Sequence, residues 1–262
     1  MIEIVLLSML TGVMAGILAG LFGIGGGLVI VPALVAVFKQ QHFPTNSIML
    51  MALGTSLATI IFTAWVSART HHRLGAVLWV SVFRLAPGIA LGTGIGAYFA
   101  GQLSTQALKW VFCGFLLWVA LQMALAIKPG SRQSRHSKWL DGFVGFGIGF
   151  MSALVGVGGG TLTVPYLVNG GTPIKNAVAT SSACGVPIAL VGTVIYVILG
   201  WKATDLPVWS VGYVYLPAFF GVVFFSILTA PLGAKLAHTL PTQKLKRYFS
   251  LLLVLVAVKM VW

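Results

Sequence analysis

The chain has 262 residues, of which 58% are hydrophobic and 7% charged, with a mean hydropathy of +1.01. That balance excludes a soluble domain and specifies a polytopic membrane protein. The net charge of +13 comes from sixteen Lys and Arg against Glu3, Asp141 and Asp205; in a soluble chain it would suggest nucleic acid, but here the basic residues punctuate apolar segments and read as membrane orientation and contact with anionic lipid, with no nucleic-acid partner.

The start Met1-Ile2-Glu3-Ile4 has no basic region ahead of the apolar run, so the first apolar segment is expected to stay in the fold. Residues 2–22 are apolar, a glycine turn occupies 23–27, and 28–38 is a shorter apolar piece ending at Lys39. As one helix these residues would reach about 55 Å, against a hydrocarbon core of about 30 Å. The segment is therefore broken at its glycines. Spans follow at roughly 47–68, 76–100 and 106–127, with a basic loop through Arg69 and Arg73. The polar stretch 128–138 reads as a basic cytoplasmic linker between a first repeat, 1–127, and a second, 139–262. The second repeat has a broken segment at 139–168 and spans at roughly 177–200, 211–236 and 242–261.

The repeat is explicit. Gly23-Ile24-Gly25-Gly26-Gly27 to Val35 matches Gly156-Val157-Gly158-Gly159-Gly160 to Val168 at eight of thirteen positions, with a shift of 133. Ala52 to Ser56 aligns with Ala177 to Ser181 at a shift of 125, and 96–112 matches 233–249 at nine of seventeen positions with a shift of 137. Glycine adopts backbone angles closed to other residues, and unwound backbone at membrane depth survives only where protein or a wet cavity satisfies it. A half-helix that starts after such a break aims free N–H groups at an anion. Paired breaks in two halves are the best sequence pointer to a transporter's substrate site; the competing reading is close helix packing through small residues.

Orientation tests the broken segments. If they cross the membrane, the positive-inside count, leaving out Arg84, is eight basic residues against seven; if they dip in and return, it is eleven against four. The expected fold is therefore an all-α polytopic membrane protein of two inverted repeats, each a re-entrant segment plus three transmembrane helices.

No paired carboxylates, zinc-ligand spacing or nucleotide loop appears, so no catalysis, metal or cofactor is expected. Cys113 and Cys184 lie in apolar surroundings and form no disulfide framework. All five histidines fall in loops or at helix ends, and His71-His72 reads as a solvated surface pair. The candidate substrate site comprises Gly25, Gly26 and Gly27 with Thr55 and Ser56 in one half, and Gly158, Gly159, Gly160 and Thr161 with Thr180, Ser181 and Ser182 in the other. Thr163 adds a hydroxyl just past the second turn. Neutral donors of this kind suit a desolvated oxyanion, though hydroxyls in membrane helices also bond to their own backbone. Arg84 is the one charge well inside a span and is a candidate for attracting the anion; Val214 stands in its aligned place, and Pro87 aligns with Pro217. Trp65, Trp79, Trp139, Trp201 and Trp209 read as interface anchors.

On the two glycine turns followed by Val-Pro, the Ala-Val-Ala-Thr-Ser-Ser run at 177–182 and the Gly-Trp-Lys-Ala-Thr-Asp-Leu-Pro run at 200–207, the chain resembles the TauE/SafE family of sulfite exporters, also called TSUP, over nearly its whole length. The resemblance implies transport of small sulfur-containing anions, such as sulfite, sulfoacetate or other organosulfonates, across the bacterial inner membrane. Leu28 and Ile30 stand where the second copy has Thr161 and Thr163, so the second half is expected to supply more of the polar contacts. The expected mechanism is alternating access with a small anionic substrate and membrane lipid as partners. A non-transporting membrane subunit and an anion channel are the alternatives, and the sequence carries no signal for an oligomeric state.

Overall fold

The computed structural model describes residues 2–23, 25–124, 137–239 and 242–261. Among these the helices are α1 (Ile2–Phe22), α2 (Gly27–Gln40), α3 (Ile48–Arg73), α4 (Trp79–Gln102), α5 (Thr105–Ala124), α6 (Lys138–Val155), α7 (Gly160–Asn169), α8 (Ile174–Gly200), α9 (Leu216–Thr239) and α10 (Thr242–Val261). Five of them, α3, α4, α5, α8 and α9, are long and apolar enough to cross a membrane. The basic linker lies outside the described residues except for its last two positions.

The chain is helical as expected, with one local exception among the described residues. Two short strands, β1 (Ser210–Val211) and β2 (Val214–Tyr215), pair antiparallel just before α9. Trp209 and Gly212 turn this hairpin with φ of 73° and 53°, so α9 begins at Leu216 and not near 211. The hairpin also explains why the repeat shift grows from 125 to 137: the second half carries its extra residues between α8 and α9.

Both broken segments are helical hairpins. Gly26 and Gly159 hold left-handed angles, φ 83° and 76°, immediately before α2 and α7, and there the chain doubles back. A Cβ on Gly26 would stand 2.9 Å from Ala15, eleven residues upstream, and one on Gly159 would stand 3.4 Å from Ile148, also eleven upstream. Tyr166 of α7 donates to Asp141 Oδ1 of α6 at 2.6 Å and ties the open end of the second hairpin.

Each hairpin packs on a helix from the other half. Gly12, Gly16 and Gly20 of α1 lie against the backbone of Val222, Ser226 and Ala230 in α9; Gly145 and Gly149 of α6 lie against Leu85 and Ile89 in α4. These are small-residue contacts of the kind membrane helices use when burial of apolar surface offers no drive of its own. α3 packs on α8 and α5 on α10. Matching contacts set the register of α4 to α9 at the shift of 137, because Gly145 meets Leu85 where Gly12 meets Val222. The counterpart of Arg84 is therefore Gly221, not Val214, and that of Pro87 is Phe224, not Pro217. The sequence alignment that paired the prolines missed the insertion.

The core runs through α2, α3 and the buried sides of α4 and α8, while large apolar side chains such as Phe83, Leu91, Ile198 and Phe220 are exposed. All five tryptophans assigned to the interface are exposed as well.

The glycine seams yield a paired prediction. Gly149→Leu drives a side chain into the Ile89 carbonyl of α4, whereas at Gly147 nothing lies within 4 Å. Gly149→Leu is expected to destabilise by at least about 1–3 kcal/mol and to lose the monodisperse peak in gel filtration. Gly147→Leu, on the exposed side, is expected to stay within about 0.5 kcal/mol of the parent.

Candidate functional site

The two glycine turns meet. A Cβ on Gly25 would stand 3.1 Å from Gly158 Cα, and one on Gly27 would collide with Gly156 O and stand 2.9 Å from Val157 Cα. Contact this close needs residues without side chains, and the positive φ of Gly23, Gly25, Gly26, Gly156 and Gly159 needs glycine again. Both turns are buried. They touch directly, so in this conformation they leave no gap for an anion between them.

A backbone that leaves helical geometry inside an apolar interior must find other partners for its polar groups. The serines of α3 and α8 provide them reciprocally. Ser56 Oγ donates to the Gly156 carbonyl at 2.8 Å. Its counterpart Ser181 lies 3.4 Å from the Gly23 carbonyl while donating to Val178 O at 2.8 Å. The threonines beside them act at the helix starts. Thr55 Oγ1 accepts the Tyr215 N–H, and Thr180 Oγ1 accepts the Leu78 N–H, both at 3.0 Å. Ser182 donates to Val178 O and accepts from Ser67 Oγ, each at 3.1 Å. Thr55, Ser56, Thr180, Ser181 and Ser182 are thus at the site but already bonded, and their first role is to hold the turns in place.

A third symmetric tie was not legible in the sequence. His71 is buried, not solvated as expected; its Nε2 stands 3.1 Å from the Gly20 carbonyl, which can only accept. The equivalent position in α8 is Tyr196, whose hydroxyl donates to Ala153 O at 2.9 Å. Both bonds seize the last turn of the helix leading into a glycine break.

Arg84 is not brought to the turns. Its guanidinium is 3.9 Å from Asp141 Oδ2 in the first turn of α6, some fifteen residues or about 22 Å of helix from Gly156. Tyr166 bonds the same carboxylate. The arginine therefore helps clamp α6 and α7 to α4.

Among the described residues, Thr193 and Ser210 have buried hydroxyls with no hydrogen-bond partner, and so do four residues around the second hairpin: Thr93 on α4 of the first half, and Ser152, Thr161 and Thr163 of the second. The repeat counterparts of these four are Ala230, Ala19, Leu28 and Ile30, none of which has a polar side chain. Thr93 Oγ1 is 2.8 Å from where a Cβ of Gly149 would lie, and Ser152, one turn further along α6, puts Oγ 3.5 Å from where one on Gly159 would lie. Gly159 caps α7, and Thr161 and Thr163 are in its first turn, on opposite sides of the helix. The N–H groups of Leu162 and Thr163 already bond to Gly159 O, so the N–H groups ahead of them are the ones without a partner within the helix, and they carry the positive end of its dipole. Hydroxyl donors and amide hydrogens at a buried helix start, with no carboxylate among them, are chemistry for an anion. Thr161 was expected here from the sequence. Ser152 and Thr93 were not; the signal was available as polar residues facing apolar counterparts at the shifts of 133 and 137.

The family model described as "Sulfite exporter TauE/SafE" matches residues 8–260. A "Probable membrane transporter protein" of Haemophilus influenzae is 40% identical, over 99% of both chains. A probable membrane transporter protein of Methanocaldococcus jannaschii is 29% identical over 94% of this chain and 91% of its own, and the Bacillus subtilis protein YunE, named in the same way, is 26% identical over 96% and 95%. No solved structure matches the chain.

Removing either serine tie leaves a buried carbonyl short of its donor. Ser56→Ala is expected to cost about 1–3 kcal/mol, read as a lowered thermal midpoint of the purified protein. Ser181→Ala should cost less, because its bond to Gly23 is long and its own-helix bond is lost without stranding a second helix.

Proposed function

Because the chain belongs to the sulfite exporter TauE/SafE family of membrane transporters, we propose that it exports small sulfur-containing anions, sulfite or an organosulfonate such as sulfoacetate, across the bacterial inner membrane by alternating access. The observation that carries this reading is the set of unpartnered hydroxyls at the start of α7. A buried hydroxyl without a partner costs about 1–3 kcal/mol, and the apolar counterparts in the first half build the same fold without them. Such groups call for an explanation outside folding. A multi-oxygen anion supplies the missing acceptors.

The turns touch, so the substrate enters only when the two halves part. That favours a rocking transporter over an open channel, and it fits two inverted repeats. α1 runs alongside α9, and Tyr215, just ahead of α9, sits with Phe38 and Phe43 at the exit of α2. α6 runs alongside α4, whose start bonds to α8 just beyond the exit of α7. Contacts of this kind support two hairpins dipping in from opposite faces. A negative cell interior then drives an anion outward, worth about 2.3 kcal/mol per charge per 100 mV.

In proteoliposomes the protein is expected to carry sulfite or an organosulfonate with saturation, at a rate that rises when the potential is negative on the side holding the anion. Thr161→Val and Ser152→Ala are expected to lower flux at least about tenfold, on the loss of about 1.4 kcal/mol or more of binding, with little change in thermal midpoint. No flux of any sulfur anion, or flux untouched by both substitutions, defeats the reading.

The hairpin arrangement has its own test. Lys39→Cys and Lys175→Cys, both at exposed positions, are expected to react with impermeant thiol reagents from opposite sides of the membrane. Labelling from one side only would make the segments full crossings and the repeats parallel.

A further inference from the structure

Away from the glycine turns, a groove of about 460 Å³ opens between the end of α3, the start of α4 and the middle of α8. Trp65, Trp79, Val82, Phe83 and Pro187 give it apolar walls, and Arg69 and His72 are its ionisable side chains. Those two are three residues apart on α3 and so share a face. Trp79 Nε1–H donates to His72 Nδ1 at 3.1 Å; the accepting nitrogen carries no proton, so the neutral imidazole bears its proton on Nε2 and offers a second donor. Arg69 has no ion-pair partner among the described residues.

The chain cannot readily supply that partner. It contains three carboxylates: Asp141 is engaged by Arg84 and Tyr166, Asp205 lies in the loop after α8, and Glu3 lies in α1. Arg69 is exposed and carries its charge at the border of the groove, free to meet an anion from another molecule. Phe83, Trp65 and Trp79 are exposed, so the groove faces whatever surrounds the helix bundle. In a multi-pass protein that is lipid. An almost wholly apolar, tryptophan-edged slot with the exposed Arg69 and His72 at its border matches an anionic amphiphile, chain in the slot and headgroup outside it, and basic pockets between membrane helices are known to take acidic headgroups. The volume suits a single small-molecule ligand, well short of a subunit interface.

We propose that this groove is a binding site for one anionic phospholipid, with its phosphate on Arg69 and His72 and an acyl chain along Trp79, Phe83 and Pro187. The site is separate from the transport reading. Its walls include Ala183 and Val186, neighbours of Ser182, so a seated lipid braces α8 against α3 where Ser182 meets Ser67.

Native mass spectrometry of the full-length protein, released from detergent after mixing with phosphatidylglycerol or phosphatidylcholine of equal chain length, tests it without any flux measurement. One phosphatidylglycerol is expected to be retained with at least about fivefold preference. Arg69→Gln, at an exposed position, and Ala86→Phe, which fills the groove, should abolish the preference, and Lys39→Gln, far from the groove, should leave it intact. Equal retention of the two lipids, or an unchanged preference in Arg69→Gln, overturns the proposal. So does competition by glycerol 3-phosphate at the concentration of the lipid, which would mean a soluble anion, or a lipid-free dimer disrupted by Arg69→Gln, which would mean a second copy. If Ala86→Phe fails to fold, Arg69→Gln decides alone.

Discussion

Two unwound stretches of backbone press against each other in the interior of an apolar bundle, and everything else in the fold answers that fact. Free carbonyls and N–H groups in such a place are costly unless bonded, and two chains at glycine-to-glycine distance leave no room for water to bond them. The remedy is reciprocal. Ser56 of one half reaches the Gly156 carbonyl of the other, and Ser181 faces the Gly23 carbonyl in return. His71 and Tyr196 add the same tie one turn earlier, at Gly20 and Ala153. Each half is completed by the other, which also accounts for the way α1 packs on α9 and α6 on α4.

The same constraint explains where glycine is required and where it is incidental. At Gly26 and Gly159 the chain reverses in the left-handed region. At Gly12, Gly16, Gly145 and Gly149 it lets helix backbones touch. At Gly114, Gly142 and Gly147 nothing lies within 4 Å of the added carbon, and the residue could be something else as far as space is concerned. Close packing and a break in the helix are therefore both present in this glycine-rich chain, at different glycines.

Much of this was legible beforehand because it depends on local sequence. Apolar runs gave α1 to α10 within a few residues at most ends, and the duplicated Gly-rich phrase marked both breaks and their pairing. Three features escaped because they depend on which face a residue presents after folding. His71 looked like half of a solvated pair, yet a helix turns its neighbours about 100° apart and buries one while exposing the other. Arg84 looked like an anion attractor because its partner Asp141 is 57 positions away in sequence. The β1–β2 turn was absorbed into α9 because Val, Tyr and Trp there are as apolar as a span. It concealed the insertion that shifts the register of the repeats.

The duplication also separates scaffold from chemistry. Where a polar residue has a polar counterpart under the repeat, as Thr55 has Thr180 and Ser56 has Ser181, its hydrogen bonds are made and it supports the crossing. Four hydroxyls around the second hairpin have apolar counterparts and no partner: Thr93 against Ala230, Ser152 against Ala19, Thr161 against Leu28, Thr163 against Ile30; others with apolar counterparts, such as Ser182 against Leu57 and Thr63 against Ile188, are bonded. The clamp of Arg84, Asp141 and Tyr166 falls on the same side, with Gly221, Ser8 and Ala33 in the matching places. The fold has gathered four of its unpartnered hydroxyls and its charged clamp around one hairpin, α6–α7. That hairpin is held against α4 at its open end and offers its donors at its buried end. The first hairpin, α1–α2, carries neither set. A substrate that enters as the halves part would find its acceptors answered from one side only, and would leave when that side's helix start is turned away.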